Sequence, residues 1–168
     1  MKAVSNTTPL RYLIAIEQQH VLVQLFDKVF VPVAVHDELT DARTPELVRH
    51  TILSRPSWLE VRPVPEAQET AFGLSLHRGE REAIALTEDL RPDALLIDDQ
   101  DGRTVALSRK LPVLGTLGVL EQADNLGLIG HYAELLTHLK ASGFFITRGL
   151  EELLLQRHRA RLAERHKK

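Results

Sequence analysis

The chain has 168 residues, 43% of them hydrophobic, 26% charged and 5% aromatic, which suits one globular domain with an aliphatic core. A net charge of -2 excludes a global field that draws the whole protein to polyanions, so nucleic-acid binding has to come from a local patch. The absence of cysteine excludes disulfides, thiol nucleophiles and zinc–thiolate centres and accords with a cytoplasmic setting; no apolar run reaches the roughly 18 residues of a membrane span, so no membrane partner is expected.

Lys2 to Ser5 reads as a short buried strand. "TPLRYLIAIEQQ" follows with apolar residues at helical spacing, and Thr8 before Pro9 is a helix-start signal, Thr8 as cap and Pro9 at the first position. "VLVQLF" predicts a second short helix and "KVFVP" a β-branched strand closed by Pro32. "PVAVHDELT" predicts a helix, and "TPELVRHTIL" another, capped by Thr44. "WLEVRPV" alternates between prolines as a strand does. Gly79 opens the helix "GEREAIALTEDL". "DALLIDD" is an apolar strand ending in two acids, "DGRTVALSRK" a helix, "LPVLG" a short strand, and "TLGVLEQADNLG" a helix from Thr116 to a stop near Gly127. "HYAELLTHLKASG" and "TRGLEELLLQRHRARLAERHKK" predict two closing helices. Strand–helix alternation as far as residue 127 predicts a parallel sheet covered on both faces. The expected organisation is an α/β domain over 1–127 with a helical extension over 128–168.

Ligands of open α/β sheets bind beyond the carboxyl ends of the strands. Asn6 follows the first strand, Asp98 and Asp99 follow "ALLI", Glu38 lies on the helix after "VFVP", and Glu80 and Glu82 open the helix at Gly79. Oxygen donors without a His or Cys partner suit a hard cation, Mg²⁺ or Mn²⁺. A pair of such ions about 4 Å apart serves phosphodiester hydrolysis. Each residue also has an ordinary role. Asn6 suits a turn, Glu38 a solvated helix face, Glu80 and Glu82 the positive end of a helix, and Asp99 a helix cap.

"VSNTTPLRYL", "VFVPVAVHDEL", "GEREAIAL", "LLIDDQDGRTVA" and "LPVLGTLGVL", in this order over residues 1–127, resemble the PIN-domain superfamily, and more closely a prokaryotic branch related to VapC toxins. The resemblance implies a Rossmann-like α/β/α sandwich and a metal-dependent ribonuclease. It also implies a homodimer and, in many members, a toxin held by an antitoxin protein. Carried onto this chain, the four acidic positions fall on Asn6, Glu38, Glu80 and Asp99, with Glu82 the alternative third acid and Asp98 beside the fourth. Asn6 departs from the pattern: an amide oxygen can ligate a cation but brings no charge. Asp98 or Glu82 are the residues placed to compensate. Thr7, Thr8, Arg103 and Thr116 are the expected substrate-binding residues, with Arg109 a further cation for phosphate.

The tail carries Arg157, Arg159, Arg161, Arg165, Lys167 and Lys168, which suit RNA phosphates, an acidic partner or simply a solvated helix end. Leu150, Leu153, Leu154 and Leu155 offer more apolar surface than a terminal helix needs, as a dimer face or a packing face. Gly115 and Gly118 lack the full dinucleotide fingerprint, which disfavours a cofactor-binding protein. Two readings remain: a PIN-type nuclease, and a PIN-like module of weakened chemistry that binds RNA or protein.

Overall fold

The computed structural model describes residues 1–65 and 75–167. Its centre is a five-stranded sheet in the order β3-β2-β1-β4-β5, every pairing parallel. The strands are β1 (Lys2–Ser5), β2 (Lys28–Pro32), β3 (Leu59–Arg62), β4 (Ala94–Leu96) and β5 (Val113–Leu114). The α/β class is the one expected of a PIN-like α/β/α sandwich, and the described residues also form nine helices. They are α1 (Thr7–Ala15), α2 (Gln19–Leu25), α3 (Val33–Thr40), α4 (Glu46–Leu53), α5 (Arg78–Leu90), α6 (Gln100–Ser108), α7 (Thr116–Asn125), α8 (Tyr132–Ala141) and α9 (Arg148–Arg165).

The chain divides into two compact units, Met1–Thr116 and Leu117–Lys168. The first unit holds the whole sheet. Strands buried on both faces must be apolar on both, so β1, β2 and β4 read as runs rather than alternations. Ala3, Val4, Val29, Val31, Leu95 and Leu96 are fully buried. Helix α5 packs on β1, β2 and β4. There Ala83, Ile84 and Leu86 join Val4, Phe30, Leu95, Ile97 and Ala106 in one apolar cluster. Helices α1, α3 and α4 pack on one another through buried Leu10, Leu13, Ile14, Val35, Leu39, Val48 and Ile52.

Two helix starts differ from the sequence reading. Helix α1 begins at Thr7, with Asn6 in the cap position, so Thr8 is already helical and Pro9 is the third helical residue. Proline is tolerated there because the first-turn N–H groups have no intrahelical acceptor. Helix α4 is preceded by Pro45 rather than capped by Thr44; the Thr44 hydroxyl donates instead to the Glu38 carbonyl at 2.7 Å.

The strand order fixes where a ligand would meet this sheet. From β1 the chain runs outward through β2 and β3, then returns to the other side of β1 for β4 and β5. The crevice between the carboxyl ends of β1 and β4 is therefore the topological switch point. Ser5 pairs with Leu96 there, and the Asn6 N–H donates to the Leu96 carbonyl at 2.9 Å.

The second unit is helical. Asp124 is fully buried and accepts from Arg161 Nε at 2.6 Å and lies 2.9 Å from His158 Nδ1. Tyr132 is also fully buried and stacks on His158 with centroids 5.1 Å apart. Arg157 and Arg161 also pair with Glu121. Part of the basic tail is thus spent inside the unit, and Lys168 lies outside the described residues. Of the four leucines, Leu154 is buried, while Leu150 and Leu153 are 38% and 42% exposed.

Candidate active site

Each candidate residue is delivered by a different element. Asn6 follows β1, Glu38 sits on α3, Glu80 on the first turn of α5, and Asp99 precedes α6. Asn6 is nearly buried, at 4% exposure, yet its amide does not cap α1. Among the described residues no hydrogen bond holds that side chain.

Glu38 is exposed and accepts a hydrogen bond from the Thr7 hydroxyl. Its carboxylate lies against Gly79, where a β-carbon would stand only 2.9 Å from Oε1. Glycine at 79 therefore lets the α3 carboxylate reach the start of α5. One residue on, Glu80 is 7% exposed and accepts from the His77 N–H at 3.2 Å. Burial pushes the Glu80 carboxyl above its ordinary range, and the nearby charges of Asp99 and Glu38 push it the same way. Glu80 thus has both Asp99 and Glu38 near it.

Asp99 caps α6: its Oδ1 accepts from the Asp101 and Gly102 N–H groups, each at 3.0 Å. Gly102 is also a point of close approach. A β-carbon there would stand 2.6 Å from Ile97 Cδ1 and 3.6 Å from Glu80 Cγ, so the start of α6 sits tight against Glu80.

The two reserve acids face other partners. Glu82 is 2% exposed; its Oε2 accepts from the Ala34 N–H and its Oε1 from Arg78 Nε, both at 2.9 Å. It thus satisfies a free N–H in the first turn of α3. Asp98 accepts from the Thr116 N–H at 2.8 Å and the Thr116 hydroxyl at 2.6 Å, fastening β4 to the start of α7. Burial raises the Asp98 carboxyl, opposed by the Thr116 hydrogen bonds and the Arg103 charge. Between Glu80 and Glu82, the structure sets Glu80 beside Glu38 and Asp99.

The expected substrate residues divide similarly. Thr7 is bound to Glu38, and Thr8 is half-buried beside it in the first turn. Thr116 is fully buried on Asp98. Arg103 donates to the Ile97 carbonyl at 3.0 Å, and Arg109 to Glu88 at 2.7 Å. Sequence reasoning missed Arg11, which lines a cleft with Thr7, Glu38, Asp41, Arg43 and Thr44. The available signal was its spacing: Thr7 and Arg11 are four residues apart on one helix and share a face.

Among the described residues no three Asp, Glu or His side chains stand close enough, as placed, to hold a metal ion. The donor chemistry nonetheless fits a hard divalent cation. Glu80 has the carboxylates of Glu38 and Asp99 near it, a repulsion that a cation would relieve, and Asn6, just after β1, carries a neutral amide oxygen. Among the described residues no helix is long and apolar enough to cross a membrane.

No curated protein matches the chain. The model of the DUF3368 family, a PIN domain, matches residues 2–160, and with nearly its whole length covered the chain belongs to that PIN-domain family.

Proposed function

We propose that the protein is a Mg²⁺- or Mn²⁺-dependent endoribonuclease of PIN type, the toxin half of a toxin–antitoxin pair, acting in the cytoplasm as a homodimer. PIN domains form a nuclease superfamily, which supports the reaction class. What supports the reading is that Glu80, beside the switch point of the sheet, has the Glu38 carboxylate against the preceding Gly79 on one side and the start of α6, capped by Asp99, against it on the other. A nearly buried carboxylate with two others near it costs stability unless the arrangement has a use.

Glu38, Glu80, Asp99 and the Asn6 amide would hold the cation, which when bound supplies charge neutralisation to the phosphodiester under attack. The Thr7 hydroxyl holds Glu38 in one orientation. The α6 amides hold Asp99 by one oxygen and leave Oδ2 for the ligand. In hydrolysis water adds to phosphorus and the ribose oxygen leaves. Glu82 and Asp98 keep the elements in place around the site.

Asn6 favours a second reading, a PIN-like module of weakened chemistry that binds RNA or a protein partner, because it supplies a dipole where a charge is expected. The test is Mn²⁺ titration by calorimetry with cleavage of a labelled single-stranded RNA, on wild type, Asn6→Asp, Asp99→Asn and the double variant. The nuclease reading expects Asn6→Asp to tighten Mn²⁺ by about tenfold to a hundredfold, the ~1–3 kcal/mol of a charge-assisted contact. Asp99→Asn should act oppositely and abolish that gain. Silence of both variants leaves the binding-module reading.

A further inference from the structure

We infer that Arg11 is a phosphate-binding residue for single-stranded RNA, in a cleft of about 390 Å³ between α1 and the segment joining α3 to α4. The inference rests on the reading of this site as one that handles RNA. Its geometry starts from Thr7, which holds Glu38; both line the cleft. Arg11 lies one helical turn further along α1, roughly 6 Å along the axis, and lines the same cleft. A strand with one phosphate at Glu38 would bring a neighbouring phosphate to this wall.

The other cations near the site are engaged. Arg43, in the same cleft, grips Asp41 through Nε and its own N–H, both at 2.9 Å, and holds that carboxyl down at about 2. Arg103 is drawn to the Ile97 carbonyl and Asp98, and Arg109 to Glu88. Arg11 is exposed, and among the described residues no carboxylate pairs with it; its guanidinium lies 5.9 Å over the Tyr12 ring. A guanidinium steadied on an aromatic face beside a cleft keeps its fork of donors for a phosphate. Asp37, Glu38 and Asp41 also line the cleft. Their charge repels a phosphate except where a cation answers it, which makes the Arg11 wall the place for one.

The experiment measures binding of a short labelled single-stranded RNA by the full chain in EDTA, across a salt series, for wild type, Arg11→Ala and Arg11→Lys. A lost phosphate contact flattens the slope of log K against log salt by about 0.7. Arg11→Ala should show that loss and weaken binding about tenfold, while Arg11→Lys keeps the slope. In Mn²⁺, Arg11→Ala should raise KM with kcat little changed. An unchanged slope in Arg11→Ala overturns the assignment, as does displacement of a bound polyglutamate probe that RNA does not match. Wild-type cleavage in Mn²⁺ is read separately: without cleavage but with an Arg11-dependent slope, the nuclease reading falls and this one stands.

Discussion

Replacing Gly79 by alanine tests whether the start of α5 is built around the Glu38 carboxylate. Gly79 is the second residue of α5, so alanine suits the backbone. Its β-carbon would stand 2.9 Å from Glu38 Oε1 and 3.4 Å from both Cδ and Oε2. Ordinary contact begins near 3.4 Å, so the carboxylate must retreat by about half an ångström. The obstacle is the end of a flexible, exposed side chain, which limits the cost to folding. Forcing Glu38 off its rotamer costs ~0.5–1.5 kcal/mol. Alanine for glycine in a helix returns up to about 0.5–1 kcal/mol. The melting temperature should therefore stay within a few degrees of wild type.

Function should respond more strongly. A misplacement of about 1 Å in a catalytic constellation costs on the order of a hundredfold, so half that predicts roughly a tenfold loss of RNA cleavage. Mn²⁺ affinity should fall with it. The assays are thermal melting, Mn²⁺ calorimetry and cleavage of labelled RNA. Adding Glu38→Gln supplies the control: a change that acts through Glu38 should add nothing in that background. Unchanged cleavage and Mn²⁺ affinity in Gly79→Ala would refute the reasoning, and so would a melting temperature that falls as steeply as activity.

The raised Glu80 carboxyl makes the metal-free protein lose stability as pH climbs from the ordinary glutamate value of 4.5 through its own higher one, because the folded state binds more protons in that window. Glu80→Gln should flatten that decline in melts run in EDTA from pH 4 to 8; a parallel decline would dismiss Glu80 as its source. Thr116→Val removes the 2.6 Å hydroxyl donor to half-buried Asp98. It should cost ~1–3 kcal/mol by urea unfolding and leave Mn²⁺ affinity near wild type. Arg91 ends α5 in the left-handed region, with φ 47°. Arg91→Gly should raise stability by ~0.5–1 kcal/mol in the same assay.

The sheet was legible because buried parallel strands are short apolar runs, and "KAVS", "KVFVP" and "ALL" are such runs between helical periods. The site was legible to the level of the strand ends, since acids there are poor strand residues and stand out. Which of two nearby acids turns inward was not. Glu80 and Glu82 are two residues apart, about 200° around the helix, and only the packing of α3 against α5 decides that Glu82 meets Ala34 while Glu80 meets Asp99. Asp98 and Asp99 separate similarly, through a contact with Thr116 across β4 and β5 that no local pattern announces. Gly79 reads as a helix opener in the sequence; its missing side chain matters only once α3 lies beside it.

Asn6 links the stability of this fold to its chemistry, and the two should move in opposite directions. Burial raises the Glu80 carboxyl, and the charges of Asp99 and Glu38 raise it further. An amide at the nearly buried end of β1 adds a ligand oxygen without adding a fourth charge. Asn6→Asp should therefore lower the melting temperature in EDTA and enlarge the rise that Mn²⁺ produces. For a chain of this size each 1 kcal/mol moves the midpoint by about 2–4 °C. Saturation at a hundred times Kd contributes about 2.7 kcal/mol, and a tenfold tighter site at the same Mn²⁺ concentration adds about 1.4 kcal/mol. The expected pattern is a variant several degrees less stable than wild type without metal and nearly level with it when loaded. Melts of both proteins in EDTA and across a Mn²⁺ series read this directly. An Asn6→Asp variant as stable as wild type in EDTA, with the same Mn²⁺ shift, would separate Asn6 from the carboxylates and remove it from the site.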